Sequence, residues 1–163
     1  MKKVLFCVFV LFSINVFSQN TVLNTLRILY FEASYNEQKM DSLSLIVGNE
    51  INSNNVFFAY QGATQVMKAK YTYNPISQFS YLKKGVSILN QAIFKDSTNF
   101  EIHFLRFAVE HHIPSFLGFS THLQTDKKFL LNNLDKIELM KITTQFGNYL
   151  YDFLKISNRF TIN

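Results

Sequence analysis

Four histidines are the residues most able to do chemistry here: His111 and His112 stand side by side, His122 follows, and Glu110 and Asp126 flank them around Pro114. Imidazole and carboxylate are zinc-ligand types, but a zinc site wants ligands three or four residues apart on a helix, with a third brought in. Adjacent helical residues project about 100 degrees apart, so His111 and His112 cannot both face one ion on an unbroken helix. His103 lies two turns before His111. No ligand motif of known spacing is matched, and the sequence predicts neither a metal nor a cofactor. His111 and His112 are expected to meet the negative end of a helix dipole just before Pro114.

No glycine-flanked serine elbow and no phosphate-cradling glycine loop is present, and the only cysteine is Cys7. No catalytic residue is therefore predicted. Glu101, Glu110, Asp126 and Glu138 read as scattered carboxylates on helices, where such charges are usually solvated. A more specific pattern is the stripe Asn99, His103, Arg106 and Glu110, spaced four, three and four along an otherwise apolar segment. It reads either as the solvent-facing edge of a core helix or as the lining of a groove. In the groove reading His103, Arg106 and Glu110 bind a partner, and arginine is favoured at binding hot spots. Arg106 and Glu110 are four apart and are expected to pair at the surface, for about 0.2–0.5 kcal/mol.

The elements that must position these residues are helices. From Asn55 to Arg106 the patterning is densest. Phe57, Tyr60, Thr64, Met67 and Tyr71 share one stripe of a first central helix, reaching to about Tyr73, which Asn74-Pro75 ends. Tyr81, Gly85, Ile88 and Ala92 run beside Leu82, Val86, Leu89 and Ile93 in a second, an apolar face wide enough to need cover from two sides. Asp96-Ser97-Thr98-Asn99 supplies turn and cap chemistry. The third, Phe100–Ile113, is apolar almost all round and is expected at the buried centre. Gly85, mid-helix at about 1 kcal/mol of lost propensity relative to Ala, marks a close helix approach.

Before this core, Thr21–Ser34 is predicted helical. Asn36 caps another helix that ends at Gly48, and Asn49–Asn55 forms a linker. After it, Pro114 breaks the chain, Ser115–Phe119 makes a tight apolar turn or short helix, and Thr125 or Asp126 starts a helix whose buried side is Phe129, Leu130 and Leu134. A last helix carries Leu139, Ile142, Phe146, Tyr149, Leu150 and Phe153. The tail from Ser157 is expected to fray. No alternating strand pattern of useful length occurs, so the fold is predicted all-α, with about six to seven helices.

Residues 1–18, MKKVLFCVFVLFSINVFS, have a Lys-Lys start, an apolar run and small or branched residues at Val16 and Ser18. This reads as a secretory signal peptide cleaved before Gln19, and it is short of the roughly 20 apolar residues a spanning helix needs. Phe6 before Cys7 speaks against a lipoprotein signal. Residues 19–163 then form one domain without cysteine, exported to a periplasmic or extracellular space and held by its core alone. The 163 residues are 48% hydrophobic and 17% charged, with 18 Phe, 8 Tyr and no Trp, ample for a core. Loss of Lys2 and Lys3 takes Lys+Arg from 16 to 14 against 11 acids, leaving +3. That charge is too weak and scattered for nucleic acid.

Gly85, Leu89 four residues on, Ala92 three further and then Asp96-Ser97-Thr98-Asn99 resemble the second helix and turn of a tetratricopeptide repeat, with Ser97 in place of the repeat's proline. The resemblance implies an antiparallel helical-hairpin array. Gly62-Ala63, Ala69-Lys70-Tyr71, Asn74-Pro75, Phe104-Leu105-Arg106, Pro114 with Phe116-Leu117-Gly118-Phe119, and Asp126-Lys127 resemble a group of short exported helical proteins of unassigned function. The expectation is an exported, noncatalytic scaffold that binds an envelope protein or peptide in a groove, with no membrane span after signal cleavage. The alternative is a carrier of an apolar small molecule in a Phe-rich cavity.

Overall fold

The computed structural model describes residues 21–50, 54–136 and 152–153. Among them the chain is all-α, with no strand. Helix α1 covers residues 21–33, and a 3-10 turn, Glu37–Lys39, leads into α2, Met40–Glu50. Then come α3 (Asn55–Lys70), α4 (Pro75–Lys95), α5 (Phe100–His112), a 3-10 turn Ser115–Leu117, and α6 (Leu123–Leu131).

Asparagines start these helices. A helix begins with N–H groups that have no partner inside it, and a short amide oxygen reaches back to them. Asn54 accepts from Val56 and Phe57 at 2.9 and 3.1 Å. Asn74 accepts from Ile76 and Ser77 at 2.9 and 3.3 Å, and Asn99 from Glu101 and Ile102 at 3.1 and 3.2 Å. Asn36 does the same for the turn before α2. Asn74-Pro75 is thus the beginning of α4, its proline supplying the fixed φ that suits a first turn, while α3 stops earlier, at Lys70.

Two further boundaries differ from expectation. Gly48 does not end α2, which runs on to Glu50, and Gly118 is the only described glycine with positive φ, at 73°. A glycine with ordinary helical angles costs propensity without stopping the helix. Helix α6 starts at Leu123, so Asp126 lies inside its first turn. Most of the expected last helix lies outside the described residues, although residues 152–153 are helical.

Helices α3 and α4 run antiparallel: Phe58 near the start of α3 meets Lys95 at the end of α4, and Gly62 meets Gly85. A Cβ added at Gly85 would lie 2.6 Å from the Gly62 carbonyl oxygen and 2.9 Å from the Val66 nitrogen. Backbone touches backbone there, as the mid-helix glycine implied. Helix α5 is the centre. Its Ile102, Leu105 and Val109 join the main core with Leu26, Leu43, Phe57, Tyr60 and Leu89, and its Phe100, Phe104 and Phe107 pack with Leu130 in a second cluster. Two cores on opposite sides explain why the helix is apolar almost all round.

Candidate functional site

His103, Arg106 and Glu110 of the polar stripe of α5 do not form a solvent-facing edge. His103 and Arg106 are 5% exposed and Glu110 is 1% exposed, because α6 folds back over them and Asp126, wholly buried, comes down between. Arg106 donates to the Asp126 carboxylate twice, Nε to Oδ2 at 2.7 Å and Nη2 to Oδ1 at 2.8 Å. Its third arm, Nη1, donates to Asn90 Oδ1 at 3.0 Å on α4. His103 Nδ1 lies 2.7 Å from Asp126 Oδ1, and its Nε2 lies 3.0 Å from the Ser97 carbonyl oxygen. The ring face stacks on Phe129 at 3.8 Å. Burial alone would raise the Asp126 carboxyl; the hydrogen bonds and charges of Arg106 and His103 outweigh it and hold it below the usual aspartate range.

Glu110 does not pair with Arg106. It accepts from the His122 backbone N–H at 2.7 Å and lies 2.8 Å from His122 Nδ1, at the start of α6. Since His122 makes no side-chain cap of its own, Glu110 supplies the acceptor from the neighbouring helix, where the dipole favours negative charge.

A second clamp sits toward the other end of α5. Glu101 accepts from Arg27 Nε at 2.8 Å, from Arg27 Nη2 at 2.6 Å and from the Tyr60 hydroxyl at 2.8 Å. It ties α1 and α3 to α5. Burial would lower the Arg27 guanidinium, but Glu101 raises it; burial and then the Glu101 charge push the Tyr60 hydroxyl well up. Arg27 was not singled out in the sequence, and its signal there, a lone arginine in an amphipathic helix, is too common to read. These carboxylates have their oxygens occupied by fixed donors in sealed surroundings. Their chemistry is that of fasteners.

His111 and His112 stand at the end of α5 as expected, but the dipole does not dominate at His111. Burial, then neighbouring His112 and Lys127, hold it below the ordinary histidine value. His112 donates to the Ala108 carbonyl at 2.7 Å and stacks on Phe153 at 5.7 Å. Among the described residues no group of three His, Cys, Asp or Glu side chains gathers closely enough to hold a metal ion.

An accessible concavity lies elsewhere. A cleft of about 490 Å³ opens between α1, α3 and α5, with Leu82 of α4 at one side. Tyr30, Phe31, Met67 and Phe104 form apolar walls, and the small side chains of Ala63 and Ala108 leave the space between them. Tyr30, Ser34, Lys70 and His112 bring polar side chains to the lining, and among the described residues no carboxylate lines it.

Fold and site together define an all-α protein with an open apolar cleft and a core pinned by buried ion pairs. No family model, curated protein or solved structure matches the chain.

Proposed function

We propose that the protein is a noncatalytic carrier that takes an apolar small molecule into the cleft between α1, α3 and α5. The carrying observation is the cleft itself: about 490 Å³ of apolar-walled space, within the roughly 300–1,000 Å³ typical of small-molecule sites. His103, Arg106 and Glu110 are buried and are not part of the cleft lining, so the carrier reading does not rest on them. A peptide that inserts apolar side chains into the same cleft is the second reading, favoured by the cleft's opening to solvent. The tetratricopeptide-like arrangement is part of the proposal, supported by the α3–α4 hairpin closing at Gly62 and Gly85. So are export and cleavage before Gln19, supported by the leader-like residues 1–18; an exported chain whose intact mass still included Cys7 would refute the cleavage.

Native mass spectrometry and displacement of an apolar fluorescent probe test the cleft. Ala108→Phe, on the half-exposed cleft wall, should abolish probe binding while helicity stays unchanged. If the variant folds and binds the probe as the parent does, the cleft is not the site.

A further inference from the structure

We propose that the outward face of α4, together with Phe116, rests on an anionic lipid surface. From Asn55 to Lys95 the chain contains no Asp or Glu, and every formal charge there is a lysine: Lys68, Lys70, Lys83, Lys84 and Lys95. Three of the chain's acids, Glu101, Glu110 and Asp126, are buried against partners of their own. They cannot screen that surface. Lys83 and Lys84 are exposed and make no ion pair among the described residues.

The same face carries large apolar groups in water. Ile76 is 82% exposed and Phe94 92%, and with Lys83 they project within about 20 degrees of one another on a regular helix. The two apolar ends stand about 27 Å apart at 1.5 Å per residue. Just before α4, Tyr73 is 98% exposed; half-exposed Phe79 touches Phe119 at 5.4 Å between ring centres, and Phe116, three residues before Phe119, is 85% exposed. Apolar side chains that project outward, with flexible lysines between them, suit an interface that receives rings and lets ammonium groups stay at headgroup level. A nucleic acid presents phosphates and offers no apolar medium in which to bury Ile76. No helix of the described residues is long and apolar enough to cross a membrane, so the face lies along the surface.

The test is flotation of the full chain with vesicles of phosphatidylcholine alone or mixed with phosphatidylglycerol, every variant carrying the same chain ends so that their contribution cancels. Binding is expected on the mixed vesicles and weak on the neutral ones. Lys83→Ala and Lys84→Ala should each weaken it about fivefold, the equivalent of about one charge near an anionic surface. Ile76→Ser with Phe116→Ser should weaken it at high salt as well as at low. All four positions are exposed, and unchanged circular dichroism verifies folding. Equal binding to both vesicle types, or no effect of the lysine changes, overturns the proposal. A chain that ignores vesicles but is retained on immobilised polyglutamate overturns it in favour of an acidic protein partner.

Discussion

Where α3 crosses α4, contact is made by the absence of side chains: Gly62 and Gly85 let two backbones touch. Where α6 meets α5, it is made by charge, with Asp126 and Glu110 held by Arg106, His103 and His122. The first interface is intolerant of addition and the second of removal. They differ in solvent response too. Nothing at the glycine contact titrates, whereas the ionic one depends on a carboxylate staying ionised.

Removing a cation from the ionic interface should have the largest effect. Arg106→Ala strands Asp126 buried and half-paired, which costs about 3–5 kcal/mol, a large part of the roughly 5–15 kcal/mol that holds a domain together. This reverses the surface-pair expectation, under which the loss would scarcely register. Arg106→Met combined with Asp126→Leu should recover part of the loss, because the stranded carboxylate is then gone, although His103 Nδ1 and Asn90 Oδ1 each lose a partner. Denaturant titration checks both, and a double variant no better than Arg106→Ala would show that shape rather than charge sets the cost. Acid probes the same pair. The folded Asp126 value lies below the unfolded one, so its contribution is complete above the unfolded pKa of about 3.9 and disappears as pH falls below that. Amide NMR signals of α6 should move in acid before those of α3 do.

The complementary change at the glycine contact is smaller. Gly85→Leu should destabilise by about 1–3 kcal/mol, since even the first added carbon would meet the Gly62 oxygen at 2.6 Å. A neutral melting temperature would mean that α3 and α4 can separate freely. This contact was legible in the sequence because a glycine inside a strongly periodic helix costs propensity that only a close neighbour recovers. The starts at Asn36 and Asn99 were legible for a similarly local reason, whereas Asn74, expected at a helix end, begins α4. The charge network was not. Helical spacing put Asn99, His103, Arg106 and Glu110 on one line, but α5 is covered on both sides, and no periodicity within α5 says that its polar line faces α6 rather than water. Asp126 lies twenty residues beyond Arg106, and that pairing is set by the turn at Pro114 and Gly118. The cleft was legible only as an abundance of aromatic residues, since Ala63 and Ala108 create its space by what they lack.

The smallest effect concerns a polar group on the apolar side of the comparison. Thr64, on α3 and 2% exposed, has the only buried side-chain oxygen without a hydrogen-bond partner among the described residues. In the ionic interface every buried donor and acceptor named above is engaged, so the hydroxyl is an exception in a region built from hydrocarbon. A buried polar group left unpaired costs about 1–3 kcal/mol. Thr64→Val keeps the branched shape and removes the hydroxyl, and should therefore raise stability by about 1 kcal/mol, read as a higher denaturant midpoint at unchanged slope. Asp126→Leu alone is the opposite case, because it leaves Arg106 without its carboxylate and should destabilise. If Thr64→Val were destabilising instead, the hydroxyl would have a partner in solution, and the contrast between a charge-built and a hydrocarbon-built interface would have to be redrawn at α3.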